Sequence, residues 1–177
     1  MSTIKHFFLA GFILIAQTAF TQKFMSRNVE VHFLSETPIE NIEAHNNQAS
    51  ALFDSSTGEI VFQVPIRGFH FEKALMEEHF NENYMESEEF PKATLQGKIK
   101  SWPNVSKDVE VEGTIMIHGT EKLKTFSGTL GYDNNNWIVY SEFSVNAEDF
   151  DIKIPSIVRK QIAENIVISV NATLSPR

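Results

Sequence analysis

The chain has 177 residues, no cysteine, and 15 Lys and Arg against 23 Asp and Glu, for a net charge of −8. The lack of cysteine excludes a disulfide framework and a cysteine-borne lipid anchor. The acidic balance argues against nucleic acid or an anionic membrane surface as partner, since both need clustered cations.

The first element in chain order is a targeting segment. Lys5 precedes an apolar or small run from Phe7 to Ala16, followed by Gln17 and Thr18. That run is about half the ~20 residues a membrane-spanning helix needs, which favours a secretory signal over an anchor. Ala19 and Thr21 supply the small residues of a processing site, so residues 1–21 are expected to be a signal peptide and residues 22–177 the mature domain, with a cut after Ala19 as the alternative. Loss of Lys5 leaves 14 basic against 23 acidic residues, a net charge of −9. The expected compartment is periplasmic or extracellular, with no integral membrane span after processing. A remaining chain of about 150 residues buries roughly 68–70% of its unfolded surface, enough for one domain with one core.

Beyond the signal, apolar residues recur with period two, the mark of strands with one buried face. Val29, Val31 and Phe33 alternate with polar neighbours, as do Ala49, Ala51 and Phe53 ahead of the turn-forming stretch Asp54–Gly58. The return arm carries Ile60, Phe62 and Val64 on one face, and Pro65 ends it because proline lacks the ladder donor. The glycine- and proline-free stretch Phe71 to Met85 sets Met76, Phe80 and Tyr84 four residues apart, with Phe71, Leu75 and His79 on an adjoining line, and so predicts a helix.

Alternation resumes at Leu95, Gly97 and Ile99 and is longest at Val109, Val111, Gly113, Ile115 and Ile117. Phe126, Gly128, Leu130 and Tyr132 share the next parity, and Asp133–Asn136 is a turn signal. Trp137, Val139, Phe143 and Val145 return. Ser156 after Pro155 suggests a cap for a short second helix through Glu164, with Ile157, Val158 and Ile162 turned inward. Ile166, Ile168, Val170, Ala172 and Leu174 form the inward side of the last strand. The sum is a mainly β chain of about eight antiparallel strands with one helix, and closure into a barrel removes its exposed edges.

Three stretches carry a resemblance to a known family. They are Asp54 to Phe71, with Thr57-Gly58-Glu59-Ile60; Leu75-Met76-Glu77-Glu78-His79-Phe80 running on to Phe90-Pro91-Lys92-Ala93-Thr94-Leu95; and Glu112-Gly113-Thr114-Ile115-Met116-Ile117-His118-Gly119. In order and spacing they resemble the YceI-like proteins of the bacterial envelope. The resemblance implies an elongated lipocalin-like barrel that binds polyisoprenoids or related long-chain lipids. The first strands depart from the family pattern, reading Val31-His32-Phe33-Leu34-Ser35 and then Ala44-His45-Asn46.

A lipid carrier needs an apolar lining and a mouth that tolerates a polar end. The 15 phenylalanines suit such a lining, although inward Phe also serves as ordinary core. The expected ligand contacts are Phe62, Val64, Phe69, Phe71, Leu75, Met76 and Phe80, where the helix covers a barrel end, together with Met116, since methionine adapts to imprecise ligands. The partner expected is a long-chain isoprenoid or fatty lipid. The alternative is a filled barrel acting as an interaction or structural protein of the envelope. Oligomeric state is open, a homodimer included.

Chemistry is not expected. The histidines show no metal-ligand spacing such as His-Glu-x-x-His, and no metal or cofactor is predicted. His118, followed by Gly119, reads as a hydrogen-bonding turn residue. There is no Gly-x-Ser-x-Gly elbow and no cysteine nucleophile, so the protein is read as a non-enzyme. The neighbouring pairs Glu77-Glu78 and Glu88-Glu89 read as solvated surface.

Overall fold

A computed structural model describes residues 23–104 and 107–177. The expected signal peptide lies outside the described residues. Among the described residues, nine strands run in chain order as β1 (Lys23–Glu36), β2 (Asn41–Asp54), β3 (Glu59–Pro65), β4 (His70–Phe71), β5 (Lys92–Ile99), β6 (Asp108–Ile117), β7 (Thr120–Asp133), β8 (Asn136–Asn146) and β9 (Asn165–Pro176). Eight of them form a ring in the order β1-β9-β8-β7-β6-β5-β3-β2, and β1 pairs with β2 to shut it. Every pairing is antiparallel. The two residues of β4 lie beside Ala44 and His45, continuing along β2 where β3 has left it.

Local chemistry sets the short connections. His118-Gly119 and Asn134-Asn135 join their strands in two residues, all four at positive φ, as the tight turns that match strand twist require. His118 is also the turn anchor its position suggests: Nε2 lies 2.8 Å from Glu86 Oε2, Nδ1 lies 3.3 Å from the Phe150 carbonyl, and the ring packs on Phe90. Gly97 and Gly113 face each other across β5 and β6, where a Cβ on Gly113 would stand 2.4 Å from the Gln96 carbonyl oxygen. Only glycine fits that approach, and it leaves both inward positions without a side chain.

Two register shifts shape the closing seam. Between Ser26 and Val29 the first strand advances three residues while β2 advances two, and between Val29 and Val31 β2 takes the extra residue. Inward parity therefore passes from Phe24 to Val29 and Val31 on β1, and from Ala49 to Asn46 and Ala44 on β2. Asn46 fixes the second shift. Fully buried, it donates from Nδ2 to the Pro65 carbonyl at 2.8 Å and accepts at Oδ1 from the Gln48 amide at 2.8 Å.

The helical segments are shorter than the sequence pattern suggests. Phe71 belongs to β4, held by its strand partner Ala44 and by its amide donating to Glu77 Oε2. Helix α1 spans Ala74–His79 and continues as a wider π-helical turn through Tyr84. The second helix expected over Ser156 to Glu164 is absent: that stretch is a series of turns, with Val158 bonded to Pro155 and Gln161 to Val158. Helices this short rarely hold without tertiary support. Here turns form instead, and the Ala163 amide donates to Ser35 Oγ on β1 while the exposed Arg159 side chain meets Glu148.

One end of the barrel is solid. Phe24, Phe53, Trp102 and Trp137 interlock edge to face with centroids 5.2–6.3 Å apart, and the Trp102 indole donates to the Ser55 carbonyl. Asn46→Ala is expected to lower stability by about 1–3 kcal/mol, because it removes two hydrogen bonds at the part-buried seam, with the Pro65 carbonyl and the Gln48 amide. Urea unfolding followed by tryptophan fluorescence measures it, and an unchanged midpoint would show that the seam does not depend on this side chain.

Candidate lipid-binding lumen

The middle of the ring is hollow. About 190 Å³ of interior is open to the centre of a water-sized sphere, walled by inward residues of seven ring strands, among them Val31, Ile60, Phe62, Val111, Phe126 and Ile168. The strand alternation that builds a core also builds this lining, because the inward positions from β5 to β9 that reach it are apolar or glycine, with Ser141 opposite Gly128 as an exception. At one water-sized sphere per ~10–15 Å³, the space takes on the order of a dozen methylene-sized groups. Its wall is almost wholly apolar, so an apolar chain, not water, matches it.

A second cavity of about 170 Å³ lies under α1. Met76, Phe80 and Tyr84 reach it from the helix, Phe33 and Ile42 from the seam, and Ile154, Val158 and Ile162 from the turns before β9. Phe33, Phe80, Met85, Ala147, Ile152 and Ile166 border both cavities. Phe80 is the centre of that shared wall, in ring contact with Phe33, Phe69 and Phe71 at 5.9, 5.6 and 5.0 Å. The second cavity is the more polar: Glu40, Ser35, His79 and Gln161 line it. Glu40 is bound by Lys73 at 2.6 Å, a strap from the β1–β2 turn to the start of α1. That hydrogen bond, with the carboxylate charge, raises the Lys73 ammonium above its ordinary range, so the lysine end of the strap keeps its charge at neutral pH.

The residues expected to meet a ligand fall into three groups. Phe62, Val64 and Phe69 line the inner lumen; Phe80 borders both cavities; Phe71 and Met76 line the outer one. Leu75 is 61% exposed and lines neither, because it sits one position off the stripe defined by Met76, Phe80 and Tyr84. Met116 points out of the barrel, since its neighbours Ile115 and Ile117 take the inward parity. Conversely, most of the lining comes from β6 to β9 and from Ile152 to Ile162, which sequence reasoning assigned to core or to a second helix. The detectable signal was the long inward parity of Val109, Val111, Gly113, Ile115 and Ile117, with Gly97 and Gly128 on the flanking strands.

Several ionic side chains outside the lumen are already partnered. Glu77 is occupied by the Phe71 amide, Glu88 by Arg67, and Arg159 by Glu148.

A family model, the YceI-like domain, matches residues 17–174. The chain belongs to the YceI-like family. Several solved structures share its barrel at low identity. BcnA of Burkholderia cenocepacia is 15% identical with a TM-score of 0.73, covering 83% of this chain and 96% of its own. A polyisoprenoid-binding domain from Saccharophagus degradans is 11% identical with a TM-score of 0.74, over 89% and 99%. The YCEI protein of Campylobacter jejuni is 15% identical with a TM-score of 0.65, over 80% and 88%. No curated protein sequence matches the chain. Among the described residues, no helix is long and apolar enough to cross a membrane.

Phe80→Ala is expected to merge the two cavities. A fluorescent fatty-acid series should then show binding that improves with chain length further than in the parent protein. The stability cost is expected at about 1–3 kcal/mol, below the ~3–5 of a fully buried Phe, because this ring is half-buried. A chain-length dependence identical to the parent would mean that Phe80 does not divide the space.

Proposed function

We propose that this YceI-like protein is an exported carrier or store for one long-chain lipid, a polyisoprenoid or similar amphipath. Its chain lies in the inner lumen and its polar end beneath α1. The observation that carries the reading is the adjacency of an apolar lumen and a more polar outer cavity that share a wall centred on Phe80. The solved Saccharophagus domain, described as polyisoprenoid-binding, supports the same ligand class. Export rests on residues 1–21, with their apolar run and small-residue processing site.

Burial alone supplies enough affinity. Each methylene moved out of water contributes about 0.8 kcal/mol, so ten contribute roughly 8 kcal/mol before the cost of association. No charged contact is needed, and discrimination rests on length and thickness. Phe62, Val64, Phe69 and Phe80 are the proposed chain contacts, with Phe71 and Met76 nearer the head group. A filled envelope barrel without ligand is the competing reading, and the open space along the lumen weighs against it.

Protein purified from an envelope-bearing host and extracted with organic solvent is expected to release a long-chain lipid near one per chain, read by mass spectrometry. Repeated recovery of empty protein, together with failure to take up lipid from vesicles, would overturn the proposal. Ala93→Phe, which adds bulk to the inner lumen, should weaken uptake by about tenfold, the equivalent of two lost methylenes. Met116→Gln, on the outer face, should leave uptake unchanged.

A further inference from the structure

The outer wall of the closing seam carries a second arrangement. Because the two register shifts set Val31 and Phe33 inward on β1, and Ala44 and Asn46 inward on β2, His32 and His45 both project outward and stand directly opposite each other. Their rings stack with centroids 4.5 Å apart and planes 19° from parallel. Glu43, two residues from His45 on the same face, brings Oε2 to 3.6 Å from His32 Nε2. That nitrogen is buried, and the carboxylate stands beyond hydrogen-bonding reach, so it has no hydrogen-bond partner. One donor atom from each of the three residues lies within 4.8 Å of the others.

We propose that His32, Glu43 and His45 form a site for a divalent transition-metal ion on the outside of the barrel. A buried polar atom without a hydrogen bond is costly and needs a partner, and here it faces a second imidazole and a carboxylate. Two imidazole nitrogens and one carboxylate oxygen suit zinc or copper; magnesium and calcium prefer all-oxygen shells. Donors sharing one tetrahedral zinc ion sit roughly 3.3 Å apart, given zinc–nitrogen distances of about 2.0–2.1 Å. Rotation of the outward side chains, Glu43 being half-exposed, would have to close the remaining distance. His70, set opposite His45 by β4, faces Glu77 at 3.5 Å and lies outside this cluster. An ion held by the cluster would tie β1 to β2 across the seam that shuts the ring, on the opposite side of the wall from the lipid space.

Zinc titrated by calorimetry into the mature protein, free of any histidine tag, is expected to bind one ion per chain and to raise the unfolding midpoint. His32→Gln with His45→Gln should weaken binding by more than about tenfold, since loss of even an outer-shell partner costs about 10–100-fold. The midpoint shift should disappear with it. Equal zinc affinity in the parent and the double variant, or none in either, would overturn the site. Long-range nitrogen–proton spectra of the parent protein give a measurement that needs no variant. Zinc should shift the ring nitrogens of His32 and His45 together, and shifts confined to other histidines would refute the assignment. Neither result depends on whether the lumen holds lipid.

Discussion

The closure of β1 onto β2 is the constraint on which the rest of the structure depends. A sheet of this length left open would expose two unpaired edges, and the ring satisfies both by making the first strand partner of the second and the last. The seam cannot be regular, because the two long strands must curve and twist enough to meet. Each takes one extra residue, and Asn46 supplies the missing backbone partners from inside the wall. Interior and exterior both follow from that adjustment: it aims Phe33 into the shared wall of the two cavities and His32 with His45 away from it.

Within the ring, space is distributed unequally along the axis. At one end four large aromatic rings fill the cross-section; further along, phenylalanines are interspersed with Val, Ile and facing glycines, which reach less far toward the axis. Eight strands leave an interior on the boundary between packed and hollow. Side-chain size at a few levels then decides which state each level adopts. The aromatic end gives the fold its well-packed core, so the hollow region need not be filled for the barrel to stand.

Much of the β architecture was legible in the sequence because it rests on alternation and turn chemistry. The arms from Ile60 to Val64 and from Val109 to Ile117, and the turns at Asp54–Gly58 and Asp133–Asn136, follow from residue type and spacing alone. What failed were features set by distant partners. Phe71 has helical spacing yet pairs as a strand with Ala44, and the stretch from Ser156 to Glu164 has a helical start signal yet runs as turns, with the Ala163 amide bound to Ser35 on β1. The imidazole pair was invisible for the same reason. His32 and His45 are far apart in sequence, and their meeting depends on a register that two irregular residues decide.

The ligand-facing residues were only half legible, because one pattern serves two outcomes. An inward phenylalanine looks the same in sequence whether it meets another side chain or a void. Phe53 is fully enclosed by tryptophans, whereas Phe62, on the adjacent strand with the same alternation, borders open space. The difference lies across the barrel, in what the opposing strands place at each level. Opposite Phe53 stands Trp137, while the level above is walled by Val111, Leu130 and Val139. A lumen is thus a property of the ring as a whole, the volume left where the sum of inward side chains falls short of the cross-section. No single residue encodes it.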